Sequence, residues 1–139
     1  MFALTTNAPA SWRLNIGLWS AQILLAAMYG MVGFMKLTQP IPELTASMGW
    51  PGLVPVVLVR FIGLAELAGA LGLILPMLTK ILPRLTVFAA LGLVALQVAA
   101  MSWHISLGEF FMLPINITLL ALAGFVAYGR HKTLPRAVA

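Results

Sequence analysis

Long apolar stretches separated by prolines dominate the pattern of this 139-residue chain. A bilayer core of about 30 Å needs about 20 mostly apolar helical residues to cross it. The pattern therefore predicts four transmembrane helices, over residues 14–36, 56–75, 85–103 and 112–130. The gaps between them contain Pro40, Pro42, Pro51, Pro55, Pro76 and Pro83, and Pro114 stands at the start of the fourth span. We predict an all-α fold, a membrane four-helix bundle that forms a single domain over residues 1–139.

The connection between the first two spans has a helical pattern of its own. Pro42 stands near the start of segment 41–48 and Gly49 follows the segment, which is the asymmetry typical of a short helix. The segment is also apolar enough to lie at a membrane surface. The pattern therefore predicts a short interfacial helix around residues 41–48.

The composition excludes several other classes of protein. Hydrophobic residues make up 62% of the chain and charged residues 8%, whereas a soluble domain has about 25% charged residues. The chain has no Cys, so it has no disulfide framework and no Cys-based zinc or iron–sulfur site; we predict no metal site. The basic residues are scattered between apolar runs rather than clustered on one solvated face, which argues against nucleic-acid binding.

The placement of the charges predicts the orientation in the membrane. Four spans put both termini and the second connection on one side, and that side carries six positive charges and no acid: Arg13, Lys80, Arg84, Arg130, Lys132 and Arg136. The remaining charges sum to −1: Lys36, Glu43, Arg60, Glu66 and Glu109. Because short positively charged loops stay in the cytoplasm, we predict cytoplasmic termini and a location in the cell (inner) membrane.

Polar residues within the spans recur at helical spacing. In the first span, Tyr29 and Lys36 lie seven residues apart on one face, and in the third span Gln97 and His104 do the same. Polar groups inside a span are costly and tend to face the interior of a bundle. We therefore predict one polar ligand pocket in the outer half of the bundle, lined by Tyr29, Lys36, Arg60, Glu66, Gln97, His104 and Asn116.

Glu66 is the best candidate for a catalytic group, since it lies near the middle of the second span. An unpaired carboxylate at that depth is expensive, so Glu66 is either neutral or paired. The partners left open are Lys36, Arg60 and His104. Five of the other pocket residues have a simpler interpretation. Lys36 and Arg60 are typical of side chains that snorkel at helix ends, and His104 is typical of an anchor at the membrane interface. Gln97 and Asn116 are typical of residues that join helices by hydrogen bonds.

Several segments together resemble the DoxX-like family of small membrane proteins. They are Gly33-Phe34-Met35-Lys36-Leu37, Met48-Gly49-Trp50-Pro51, the run from Arg60 to Pro76, His104, Pro114-Ile115-Asn116 and Tyr128-Gly129-Arg130, in that order. The resemblance implies a four-helix membrane bundle. The resemblance also implies which positions are most important for function: Lys36, Arg60, Glu66, His104 and Asn116. The helical spacing selects the same positions.

The function that the resemblance implies is less specific. DoxX itself resembles a subunit of a membrane thiosulfate:quinone oxidoreductase, whereas other relatives resemble membrane chaperones. We therefore keep two hypotheses. In the first, the chain is a subunit of a membrane redox system that binds a quinone or another small hydrophobic ligand; it has no intrinsic cofactor and is not a complete enzyme by itself. In the second, it is a non-catalytic chaperone or interaction protein.

A small transporter is a third and weaker hypothesis. The partners expected under these hypotheses are the lipid bilayer, a membrane or soluble redox protein, and further copies of the same chain.

Overall fold

A computed structural model describes residues 11–135, and all the regular elements in that part of the chain are helical. The helices are α1 Trp12–Thr38, α2 Ile41–Met48, α3 Val56–Thr79, α4 Leu85–Ser106 and α5 Leu113–Thr133, with short 3₁₀ turns at Trp50–Leu53 and Phe110–Met112. Four of them, α1, α3, α4 and α5, are long and apolar enough to cross a membrane. The predicted fold class, a membrane four-helix bundle, is confirmed.

The four long helices pack in a ring around one core. Helix α1 packs on α3 and α5, and α4 packs on the same two helices. Small and aliphatic residues fill the interior, among them Leu25, Ala70, Leu93 and Ala123, each of which is 5% exposed or less. Many large apolar side chains point outward instead, as helices surrounded by lipid require.

The first connection folds as its proline and glycine predict. Helix α2 spans Ile41–Met48, with Pro42 in its first turn. It ends at Gly49, whose φ of 77° lies in the left-handed region that favours glycine. The predicted helix over residues 41–48 is therefore present, and its position at the membrane surface stays a prediction.

The end of the second predicted span is wrong. We predicted that it stops before Pro76, but α3 continues through Pro76 to Thr79. Proline removes one backbone hydrogen bond, to the carbonyl four residues earlier. Within a bundle, neighbouring helices and local adjustments compensate for that loss. The helix consequently reaches one turn further, and Lys80 ends it with a φ of 59°. The other three spans extend beyond their predicted carboxyl ends by two or three residues.

The bundle has two chemically different ends. The basic end is formed by the start of α1, the α3–α4 connection and the end of α5, and it carries Arg13, Lys80, Arg84, Arg130 and Lys132. The opposite end is formed by α2 and the two 3₁₀ turns. The sixth predicted positive charge, Arg136, lies outside the described residues.

The predicted cytoplasmic position of the basic end can be tested directly. We expect a reporter enzyme that is active only outside the cytoplasm to remain inactive when it is fused after Ala139, because positively charged connections stay inside. The same reporter inserted after Gly49, in the connection at the opposite end, should be active. The reverse pattern would show that the orientation is wrong.

Candidate functional site

A buried ion pair joins α1 to α3. The Nζ atom of Lys36 lies 2.7 Å from Oε1 and 2.8 Å from Oε2 of Glu66, so both carboxylate oxygens accept a hydrogen bond from the ammonium group. The two residues are only 5% and 6% exposed. Of the three partners left open for Glu66, the structure therefore shows Lys36.

Two glycines make this ion pair possible by letting the helix backbones approach closely. A Cβ atom built at Gly33 would lie 2.8 Å from the main-chain oxygen of Gly63, and one built at Gly63 would lie 2.8 Å from Cβ of Lys36. Those distances are shorter than real side-chain contacts. The α1–α3 crossing therefore depends on having no side chain at either position.

Two further residues hold Lys36 in place. Arg60 donates a hydrogen bond from Nη1 to the main-chain oxygen of Lys36, which is one of the carbonyls left unsatisfied at the end of α1. The ring of Trp50 lies on the other side, with its centroid 5.3 Å from Nζ of Lys36. A cation over an indole ring is favourable. Arg60 therefore supports the lysine and does not replace it as the partner of Glu66.

A second group of polar side chains crosses the bundle from α1 to α5. The Tyr29 hydroxyl donates to Oε1 of Gln97 at 2.8 Å, and Nε2 of Gln97 donates to Oδ1 of Asn116 at 2.6 Å. All three residues are buried. The donor at the end of this series of hydrogen bonds, Nδ2 of Asn116, is buried and has no hydrogen-bond partner among the described residues.

We call the two groups together the polar core: Tyr29, Lys36, Glu66, Gln97 and Asn116. Each of the four long helices contributes to it. Tyr29 lies one helical turn from Gly33, and a Cβ atom built at Gly33 would lie 3.1 Å from Cβ of Glu66. Five of the seven predicted pocket residues thus belong to the polar core, and Arg60 touches its edge. That they bind a ligand stays a prediction.

The seventh predicted residue, His104, has a different partner. Its Nδ1 atom lies 2.7 Å from Oε2 of Glu109, in the connection between α4 and α5. The Glu109 backbone also donates to the His104 carbonyl. This local pairing closes the end of α4. The spacing of His104 and Glu109, five residues apart across a turn, is the signal in the sequence that we did not use.

Sequence reasoning also missed a polar cluster at the basic end. Arg130 is 2% exposed, although we counted it only as a loop charge. Its Nε donates to Oε1 of Gln22 at 2.6 Å, its Nη1 donates to Oδ1 of Asn15 at 2.9 Å, and its guanidinium lies over the ring of Trp19. The inward position of Arg130 could have been read from its spacing. Ala123, Ala127 and Arg130 are separated by four and three residues, so they share one inward face.

The comparison with family models agrees with this architecture. The model of the DoxX-like family matches residues 20–126. The chain belongs to the DoxX-like family. Neither the comparison with curated proteins nor the comparison with solved structures gave a match.

This DoxX-like protein is therefore a multi-pass membrane protein. The matched range includes all five residues of the polar core, together with Arg60 and His104. Arg130 lies beyond the end of the match.

Proposed function

We propose that this protein binds the polar head of a small hydrophobic membrane ligand in its polar core, and that it does so as a subunit of a membrane redox system. The observation that carries the proposal is Nδ2 of Asn116, a buried amide donor with no partner among the described residues. Leaving such a donor unsatisfied costs about 1–3 kcal/mol. A ligand oxygen that accepts its hydrogen bond would recover that cost.

A quinone is the ligand class that fits these residues best. Its carbonyl oxygens accept hydrogen bonds, and when bound it would supply two-electron redox chemistry coupled to proton uptake. Asn116 would orient the head group through Nδ2. The Gln97 amide accepts from the Tyr29 hydroxyl and donates to Oδ1 of Asn116. These bonds fix the orientation of the Asn116 amide, so its Nδ2 points in one direction. The surrounding lipid would accommodate a hydrophobic tail.

Glu66 and Lys36 would handle protons in this proposal. The carboxylate and the ammonium group lie within 2.8 Å of each other and together carry no net charge. If Lys36 donated a proton to a ligand oxygen, the pair would be left with a single net negative charge, and the uptake of one proton from outside the bundle would restore it. Electrons would arrive through a membrane or soluble partner protein. The chain has no Cys to hold an iron–sulfur cluster and no dinucleotide-binding fingerprint.

One observation favours the second candidate function, a non-catalytic contact or chaperone role. A groove of about 240 Å³ lies between α3 and α4, outside the polar core. Its lining consists of small residues and leucines: Ala65, Ala68, Gly69, Ala89, Gly92, Leu93 and Leu96. Small residues on a lipid-facing surface let another helix approach closely. A membrane partner or a second copy of the chain would pack there.

The ligand-binding proposal predicts a loss of bound quinone in the variant Glu66→Gln. We expect quinone to co-purify with the unaltered protein at close to one molecule per chain. We expect about tenfold less in Glu66→Gln, because Lys36 loses its charged acceptor, a hydrogen bond worth about 1.5–3 kcal/mol, and the polar core that holds the ligand is weakened. The measurement is extraction of the purified protein with organic solvent, followed by mass spectrometry.

Glu43→Gln is the matched control for this experiment. It removes the same charge from an exposed position on α2, so it should retain the quinone of the unaltered protein. Equal quinone content in all three proteins would contradict a role for Glu66. A protein free of quinone that purifies with a stable membrane partner would favour the second candidate function.

A further inference from the structure

The basic end of the bundle holds a buried cation with no acidic side chain to balance it. Arg130 is 2% exposed, and its described hydrogen-bond acceptors are the uncharged amides of Asn15 and Gln22. The chain has only three acidic residues, Glu43, Glu66 and Glu109. Glu66 is paired with Lys36 and Glu109 with His104, while Glu43 lies on α2 at the opposite end. The charge of Arg130 is therefore left without a counterion from these side chains.

One edge of the guanidinium is incompletely bonded. The Nε atom is used by Gln22, but Nη2 is buried and has no partner in the structure. Two other buried hydroxyl oxygens without partners, those of Thr86 and Thr133, also belong to the basic end. Buried polar groups normally have partners. Within residues 11–135, three of the four buried side-chain atoms without a hydrogen-bond partner thus lie at the basic end.

Buried residues of neighbouring helices hold Arg130 in place. Gln22 is fully buried, and its Nε2 donates to the main-chain oxygen of Leu73 on α3. Gln22 is therefore held so that its oxygen faces Nε of Arg130. Gly129 lets α5 approach Leu18 of α1 closely, since a Cβ atom there would collide with a methyl carbon of Leu18. Asn15, by contrast, is exposed.

We propose that the edge formed by Nη1 and Nη2 of Arg130 binds a phosphate group at the basic end of the bundle. Phosphate accepts two parallel hydrogen bonds from a guanidinium edge and supplies the missing negative charge. One phosphate oxygen replaces the exposed amide of Asn15 as the acceptor for Nη1, and a second phosphate oxygen accepts from Nη2. Arg130 lies one turn before the end of α5 at Thr133, so it is close to the end of a membrane-spanning helix, where head groups flank the hydrocarbon core. The phosphate of a lipid and free phosphate share this chemistry.

Phosphate binding at Arg130 is independent of ligand binding in the polar core and can be tested separately. Thermal unfolding of the purified protein in neutral detergent is followed by circular dichroism, with and without added inorganic phosphate, phosphatidylglycerol or phosphatidylcholine. We expect the midpoint of unfolding to rise with at least one phosphate-bearing compound. A rise with the lipids alone identifies a head group as the source, and a rise with inorganic phosphate alone identifies a solute. No rise with any of them overturns the proposal.

Two variants locate the response at Arg130. In Arg130→Gln the apparent affinity for the responding compound should fall at least about tenfold, as expected for losing hydrogen bonds to a charged group. Lys132→Gln removes the same charge from an exposed position on the same helix and should respond like the unaltered protein. An equal loss in both variants would indicate unspecific charge attraction and would overturn the proposal.

A third variant covers the case in which Arg130→Gln does not fold. Asn15→Asp places a carboxylate where the Asn15 oxygen accepts from Nη1 of Arg130, 2.9 Å away. This internal acid occupies the proposed phosphate position, so the rise in unfolding midpoint on adding the compound should disappear. An acid near the start of α1 is stabilising in any case. The unfolding midpoint of Asn15→Asp without added compound therefore does not test the proposal; only the rise on adding the compound does. An undiminished response in Asn15→Asp would overturn the proposal.

Discussion

Replacing Lys36 by methionine is expected to lower the free energy of unfolding by about 3 kcal/mol. The ammonium group of Lys36 is bonded to both carboxylate oxygens of Glu66. Without it, Glu66 remains buried in the middle of a membrane span with no ionic partner. The free energy is measured by titrating the purified protein in mixed micelles with denaturing detergent and following helix content by circular dichroism.

A double-mutant cycle separates the pairing from the burial of each group. Glu66→Met should also be destabilising, because it leaves Lys36 uncompensated. The double variant Lys36→Met/Glu66→Met should recover most of the loss, because two apolar side chains of similar size replace a buried pair at little net cost. Lys132→Met removes an exposed lysine and should change the free energy by less than about 0.5 kcal/mol. Strictly additive losses in the double variant would contradict a direct interaction between Lys36 and Glu66.

The helices and the inward position of the polar residues could be predicted from the sequence because both follow from local rules. Span length follows from the thickness of the bilayer. The face that a residue occupies follows from the helical repeat, and Gln22, Tyr29, Gly33 and Lys36, spaced by seven, four and three residues, are all buried on α1. No knowledge of neighbouring helices is needed for either step.

The choice of partner for Glu66 could not be predicted in the same way. Arg60 and Lys36 were both within plausible reach of the carboxylate, and spacing along one helix does not decide between them. The structure selects Lys36 because α1 and α3 nearly touch at Gly33 and Gly63. That separation is a property of two helices packed together, so it appears only once the fold is assembled.

The residues whose partners the sequence did not predict lie at the helix ends. His104 lies on the same face as Gln97, yet the turn after α4 brings Glu109 to it. Arg130 looked like a loop charge because α5 was predicted to end there, whereas it continues to Thr133. Near the end of a helix a few residues decide whether a side chain turns inward or meets water. The predicted carboxyl ends of the four spans differ from the observed helix ends by two to four residues.

Gly33→Ala is expected to destabilise the protein by about 1–3 kcal/mol, the usual range for forcing extra atoms into a well-packed interior. The added methyl group would lie 2.8 Å from the Gly63 oxygen and 2.9 Å from the Leu67 nitrogen. Both are backbone atoms, so no side chain can rotate to make room and the helices α1 and α3 must separate. Separation also lengthens the distance between Lys36 and Glu66, which is why we expect a value near the top of that range.

Gly92→Ala is the control that separates the α1–α3 contact from the general effect of adding a methyl group. Gly92 lies in the middle of α4, and a Cβ atom built there meets nothing within 4 Å. Alanine is a better helix former than glycine by up to about 1 kcal/mol, so this variant should be neutral or more stable in the same detergent titration. If Gly33→Ala and Gly92→Ala shift the free energy of unfolding equally, the close approach of α1 and α3 does not hold Lys36 against Glu66. If only Gly33→Ala is destabilising, combining it with Lys36→Met should give less than the sum of the two losses, because the methyl group has already weakened the ion pair.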